Sequence, residues 1–481
     1  MNHAPSLKVK DVQLHILNMR TRFPFQYGIA SLTALPHLFV RASVEFNGQE
    51  LQAGLSADGL PPKWFTKNPN TRFEEDLPAF FNVINQGIRL ATEAPSGSFF
   101  QLWQHLYHGQ ADWAKATNTP PLLANLGVSL LERAVLDALC RHLETPLHQA
   151  VQKNLLGIRF GEVRPELERV LPGNLFGKPP LNSIHIRHTI GLGDPLTAED
   201  VHADEQLNDG LPYTLEENIR AYGLSYFKIK VRGDRDADLN RLRKIADVLE
   251  TSEVDKPSLT LDGNEQFASV DAFRDFYEAC KADTKIGKLF KGLLLVEQPL
   301  HRDVALEHDL REWKDRPPLI IDESEGALES LPKALELGYS GTSHKNCKGI
   351  VKGLANAALL EVRKEETGQT LHLTAEDLAN VGPIALNQDL ALVAMLGISH
   401  AERNGHHYFR GLSMFPEDLW ADLTQTGLYH RPENFPTLHI QDGSLNLESI
   451  NQAPFGTQHL LDSTRFTPVA DWNADSLEAE S

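Results

Sequence analysis

Tyr226-Phe227-Lys228-Ile229-Lys230, Leu259-Thr260-Leu261-Asp262-Gly263-Asn264, Leu293-Leu294-Leu295-Val296-Glu297-Gln298-Pro299, Leu319-Ile320-Ile321-Asp322-Glu323-Ser324 and Ser343-His344-Lys345 follow one another along the chain. Each is a short run closed by a charged side chain. Apolar runs of this length read as parallel strands buried on both faces. Their ends would then deliver Lys228, Lys230, Asp262, Glu297, Asp322 and Lys345 to one rim of a sheet. A ring of that composition can hold a divalent cation with cationic bases beside it.

Outward from this stretch, strand-like and helical segments alternate from about residue 181 onward, the helical ones including 237–250, 270–281 and 349–364. Strands are predicted near 183–190, 225–231, 258–262, 293–297, 318–322, 341–346, 370–374 and 397–402. The spacing suits right-handed βα units. A closed (β/α)8-type TIM barrel accounts best for five consecutive strand ends that face a common mouth, with an open doubly wound sheet as the rival architecture.

On the N-terminal side, residues 8–58 alternate as strands do and contain the turn signal Asn47-Gly48. Residues 72–155 change to helical spacing, with Val128, Leu131, Ala134, Val135, Ala138 and Leu139 on one face. The expected organisation is an α+β capping domain over 1–155 and the barrel over 156–420. A segment over 421–465 returns to the capping domain, with a hairpin at 438–445, and 466–481 forms an acidic, disordered tail.

The chain has 481 residues, is 41% apolar and carries a net charge of −19. That size allows a large core. The acidic balance, with Lys and Arg interspersed among acids, argues against a nucleic-acid partner. No apolar stretch approaches a membrane span and Met1–Pro5 lacks a signal pattern, so the expected location is the cytoplasm, with no membrane association. Cys140, Cys280 and Cys347 are too few and too scattered for a disulfide framework or a thiolate site. The expected partner is a small-molecule carboxylate, and homo-oligomeric assembly is compatible with such a fold.

Asp262, Glu297 and Asp322 are separated by 35 and 25 residues, about one βα unit each, so their carboxylates can converge. Three oxygen donors without cysteine favour Mg²⁺ over zinc. Taken singly, each would read as a surface acid or a helix cap. Lys228 and Lys230 alternate on one strand and share a side, either in the barrel interior or as a solvated pair on an edge strand. Lys345 would arrive on the opposite wall, so that two lysines could serve opposite faces of one carbon.

These signatures resemble those of the enolase superfamily, in the mandelate racemase/muconate lactonizing enzyme group. They are the Lys228-x-Lys230 pair, Asp262-Gly263-Asn264, Val296-Glu297-Gln298-Pro299, Asp322-Glu323-Ser324 and Lys345-x-x-Lys348-Gly349. The likeness extends to residues 1–150, with Arg22-Phe23-Pro24-Phe25 at the start of a substrate loop and a helix carrying Glu132 and Asp137. It implies that Asp262, Glu297 and Asp322 ligate Mg²⁺ and that Lys230 and Lys345 are an acid/base pair. Lys228 would help to hold a substrate carboxylate and lower the pKa of Lys230. The implied reaction is abstraction of the proton α to that carboxylate through an enediolate, as in a racemase, epimerase, cycloisomerase or dehydratase. Asn264 and Glu323 would orient the ligands. A lysine at 345 is similar to the muconate-lactonizing branch.

Substrate contacts are expected from Phe23, Tyr27 and Trp64 in the capping loops and from His372 and Glu402 on the last two barrel strands, against domain packing for the aromatics and an Arg403 ion pair for Glu402. Two rival functions stand beside the lyase/isomerase. One is a catalytically inactive barrel that binds a carboxylate ligand or a partner, which the expensive interior charges disfavour. The other is a zinc hydrolase using His185, His344 and His372, which requires His344 to point inward although Lys345 follows it.

Overall fold

The computed structural model describes residues 4–424, 426–432 and 434–478. Strands β1 (Leu7–Tyr27), β2 (Ala30–Phe46) and β3 (Glu50–Gly59) form an antiparallel meander. The β2–β3 turn is made by Asn47 and Gly48, which both take positive φ (52° and 73°), as a tight hairpin with right-handed twist requires. Helices Phe73–Glu93, Phe99–Thr117 and Pro121–His142 cover this sheet. The last is buried from Leu122 to Cys140 rather than along one stripe, because it lies between β3 and the barrel. Its close approach to β3 depends on Gly54, where a Cβ would sit 2.1 Å from the Ala134 carbonyl oxygen. Its Glu132 carboxylate reaches across to the barrel and accepts the N–H groups of Ile350 and Val351, at 2.9 and 2.6 Å, capping helix Ile350–Thr367.

Strands β4 (Ser183–Ile190), β5 (Tyr226–Lys230), β6 (Ser258–Asp262), β7 (Leu293–Glu297), β8 (Leu319–Ile321), β9 (Gly341–His344), β10 (His372–Ala375) and β11 (His400–Arg403) pair in parallel in that order. β11 closes on β4 with His400 opposite His185 and Arg403 opposite His188. The fold is therefore a closed α/β barrel of the TIM type behind a strand-rich N-terminal unit. All strand C-termini share one rim, and β5 and β9, second and sixth in the ring, lie on opposite walls.

The C-terminal region departs from expectation in two places. The strand that ends the expected 438–445 hairpin, Ser444–Asn446, pairs antiparallel with β4 and so joins the barrel, not the capping domain. Residues 466–478, expected to be disordered, pack onto the capping sheet. Thr467–Pro468 pairs with His15–Ile16, Phe466 stacks on Phe39 at 4.8 Å, the Trp472 indole donates to Asn18 at 2.9 Å, and Leu477 is buried. Three apolar anchors outweigh the acidic composition. Residues 479–481 of that tail lie outside the described residues. Among the described residues, no helix is long and apolar enough to cross a membrane.

Several histidines are buried in this fold. Burial pushes the pKa of His37 and His406 down to about 3 and that of His344 to about 4, and holds His188 well below its usual value. An unfolded chain takes up these protons near pH 6.5, whereas the folded chain refuses them, so their stabilisation is present above that pH and is lost as the pH falls. Each such histidine costs about 1.4 kcal/mol per pH unit in that window. Urea midpoints measured at pH 7, 6 and 5 are expected to fall steeply, and a flat profile would show that these histidines are already charged in the fold.

Candidate active site

The charged residues at the rim meet in the barrel mouth, and their side chains are nearly all buried. Lys228 Nζ lies 2.9 Å from Asp262 Oδ2, 2.7 Å from Glu297 Oε2, 2.6 Å from Glu376 Oε2 and 3.0 Å from Glu402 Oε2. Lys230 Nζ donates to Asp262 Oδ2 at 2.5 Å and sits 4.0 Å from Glu402 Oε1. Across the mouth, Lys345 Nζ donates to Asp322 Oδ2 at 2.9 Å, and Lys348 Nζ is 2.8 Å from Asp322 Oδ1. Both lysines of β5 therefore face the interior, as the period of two requires.

The electrostatics separate the three strand-end acids. Burial opposes ionisation of Asp322, but Lys345 and Lys348 outweigh it and hold its carboxyl well below the usual range. Asp262 is lowered in the same way, burial being overcome by Lys228 and Lys230. Glu297 goes the other way: burial, then the neighbouring Asp262 and Glu376, push it well up. Glu323 is raised to about 7, by burial and then by Asp322. For Lys345, burial disfavours the charge, but Asp322 more than compensates and its pKa is raised.

Local backbone explains how these side chains arrive. Asp262 Oδ1 accepts the Asn264 N–H at 2.8 Å, and Asn264 Nδ2 donates to Glu323 Oε1 at 3.1 Å, tying the ends of β6 and β8 together. Gln298 does the same for β7 and β8: its Oε1 accepts the N–H groups of Asp322 and Ser324 at 2.9 and 3.1 Å. Asn264 and Gln298 both take positive φ (37° and 33°), a conformation that non-glycine residues hold only when the surroundings enforce it.

A lid closes the mouth. Phe25, Tyr27, Pro61 and Trp64 line a cavity of about 30 Å³ together with Lys230, Asn264, Lys345 and Glu402, room for a water molecule but not for a carboxylate substrate. The Trp64 ring lies under Lys345 Nζ at 4.3 Å. Its segment is pinned by Arg302, which pairs with Glu265 at 2.7 Å and donates to the Phe65 and Trp64 carbonyls at 2.8 and 2.9 Å. At the other lid strand, Arg22 pairs with Asp209 at 2.7 Å and donates to the His407 carbonyl at 2.7 Å. Admission of substrate requires one of these clamps to open.

Two expected contacts fall elsewhere. Phe23 packs against Tyr213, His407 and Tyr408 with ring centroids at 4.8, 4.9 and 5.2 Å, at the interface of lid and barrel and outside the cavity. Its strand neighbour Phe25 lines the cavity in its place. His372 is the first residue of β10, opposite Gly341, and so sits at the far rim, roughly 10 Å below the mouth at the rise of a strand. The residue β10 delivers is Glu376. His344 points out of the barrel, 3.0 Å from Asn346 Oδ1 and against Gly353. His185 stacks on Tyr226 at 4.9 Å, at the other rim. Neither is in the mouth.

No protein-family model matches the sequence, and no curated protein is detectably similar to it. The fold, however, is shared with solved mandelate racemase/muconate lactonizing proteins and dipeptide epimerases. A muconate lactonizing enzyme from Pseudomonas fluorescens, solved with muconolactone, superposes with a TM-score of 0.58 at 18% identity over 96% of this chain and 98% of that one. A dipeptide epimerase from Enterococcus faecalis, solved with Mg and L-Leu-L-Tyr, gives 0.56 at 15% identity over 94% and 100%. A mandelate racemase/muconate lactonizing protein from Herpetosiphon aurantiacus gives 0.54 at 20% identity over 82% and 88%.

Proposed function

We propose that the chain is an enolase-superfamily enzyme that uses Mg²⁺ to remove the proton α to the carboxylate of a small substrate. The observation that carries this reading is the Glu297 carboxylate. It is fully buried at the end of β7, and neither oxygen has a hydrogen-bond partner. Its counter-charge, the Lys228 ammonium at 2.7 Å, is shared with Asp262, Glu376 and Glu402, and a buried acid among other acids so served costs free energy unless a further cation takes its lone pairs. Asp262 and Glu297 both reach one atom, Lys228 Nζ, and the third acid, Asp322, closes the next strand. The acids that converge in the mouth meet on the Lys228 ammonium, and among the described residues no three acids, histidines or cysteines already stand around a metal position. Asp322 faces Lys345 and Lys348 and would turn from them to complete the set.

The all-oxygen donor set fits Mg²⁺. Bound to Asp262, Glu297 and Asp322, the metal would supply Lewis-acid stabilisation of the charge that develops on a substrate carboxylate. The protein's own groups do the rest. Lys230 and Lys345 reach the cavity from opposite walls, so one can take a proton from a carbon whose other face receives one from its partner. Each is held by a candidate ligand acid, Asp262 or Asp322, and neutralising that acid lowers the cost of removing the lysine proton. Asn264 and Glu323 fix the ligand-bearing loops, and Trp64 and Tyr27 exclude water from the carbanion. The buried, unpaired cysteines suit the reducing cytoplasm proposed for the protein.

Elimination, epimerisation and cycloisomerisation share these residues. The test is deuterium wash-in from D₂O at the α-carbon of dipeptides, hydroxy acids, sugar acids and succinyl-amino acids, in Mg²⁺ and in chelator. Exchange in at least one class, abolished by chelator, is expected. Exchange that survives complete metal removal would contradict the reading.

A further inference from the structure

The barrel mouth holds more buried acid than one cation needs. Besides the three candidate ligands, Glu376 and Glu402 point inward from the ends of the last two strands, and four of the five acids converge on Lys228 Nζ. They do not share it equally. Glu376 and Glu402 accept its hydrogen bonds, at 2.6 and 3.0 Å. Asp262 and Glu297 are in ion-pair contact at 2.9 and 2.7 Å without a hydrogen bond from it, and neither Glu297 oxygen accepts a hydrogen bond from any group.

Glu376 is itself held rigidly. Its Oε1 accepts from Arg187 and, at 2.7 Å, from Thr374 Oγ1. Arg187 also donates to Thr260 Oγ1 and the Ala375 carbonyl, each at 3.0 Å. The side chains of Arg187, Lys228 and Glu376 are all 0% exposed. This is a braced acceptor with one free oxygen aimed at one ammonium.

We propose that Glu376 is a positioning residue for the cation site: by taking the Lys228 hydrogen bond, it keeps that ammonium's protons off the Glu297 lone pairs and leaves them open to a divalent cation. An ammonium and Mg²⁺ compete for the same oxygens. Without the Glu376 charge, Lys228 turns its protons to Glu297, and those bonds must break before the cation binds. The inference rests on the Mg²⁺ reading above and adds a residue which that reading does not use.

The test is a double-mutant cycle read by calorimetric titration of MgCl2 alone into the chelator-treated full chain, so that no substrate is needed. Glu376→Gln is expected to weaken Mg²⁺ binding roughly 10- to 100-fold, as the loss of groups that orient metal ligands does elsewhere. In a Lys228→Met background, the same change should leave affinity within about threefold, because the competing ammonium is gone. Equal affinities for wild type and Glu376→Gln would overturn the proposal. So would an undiminished effect in the Lys228→Met background, which would make Glu376 a source of field and not a seat for Lys228. Should Glu376→Gln leave Arg187 unpaired and fail to fold, Glu376→Asp keeps the charge with a shorter reach. It should weaken binding in the same direction, and the effect should again vanish with Lys228→Met. Wild type that binds no Mg²⁺ would sink the underlying reading as well, whereas wild type that binds alongside an indifferent Glu376→Gln sinks only this inference.

Discussion

Glu297→Gln is expected to abolish metal-dependent exchange without harming the metal-free fold. The acid is buried, both its oxygens lack hydrogen bonds, and burial together with Asp262 and Glu376 pushes its pKa well up. Such a group does little for stability in the absence of a cation, and an amide of the same shape removes a buried charge. Lys228 keeps its two hydrogen bonds, to Glu376 and Glu402. Thermal unfolding in chelator should therefore begin no earlier than in wild type. Exchange should fall by roughly 10³-fold or more, the several kcal/mol that a Lewis-acid metal contributes. A variant that unfolds much earlier would show that Glu297 is structural.

Lys345→Ala is expected to stop proton transfer on one face only. Lys345 and Lys230 stand on opposite walls of the barrel, and each contacts its own acid, so the loss of one leaves the other in place. Asp322 retains Lys348 at 2.8 Å and stays ionised. Inversion or elimination that needs both faces should drop by about 10²- to 10⁴-fold, the usual worth of a general acid or base. Wash-in of deuterium at the face served by Lys230 should persist. The stereochemistry of incorporation, read by NMR on a substrate that wild type exchanges, separates the cases. Unchanged turnover on both faces would show that Lys230 works alone.

The barrel was legible in the sequence because strands buried on both sides read as unbroken apolar runs, and the residue that closes each run is the one at the mouth. Leu259–Asp262, Leu293–Glu297 and Leu319–Asp322 are of this kind. The seventh strand broke the pattern. Its short run begins with His372, which drew attention to the wrong end, while the closing acid, Glu376, sits next to Asp377 and reads as part of a polar loop. The rule that revealed Glu297, taking the residue that ends the run, would also have revealed Glu376. Gln298 and Lys348 stand in the quoted motifs, but their role was hidden for another reason: they brace Asp322 from neighbouring segments, and such contacts leave no spacing in one chain. Phe23 and Phe25 alternate on one strand, and the strand's irregularity between Arg20 and Phe25 decides which of them faces the cavity. The end of the chain was misread because composition was weighed over three separate anchors, Phe466, Trp472 and Leu477.

If the carboxylates ending β6, β7 and β8 hold one divalent cation, titration of MgCl2 into metal-free wild type beside Glu297→Gln will show it. Wild type should bind one equivalent and the variant none measurably under the same conditions. Absence of binding by wild type, or equal binding by both proteins, would contradict it.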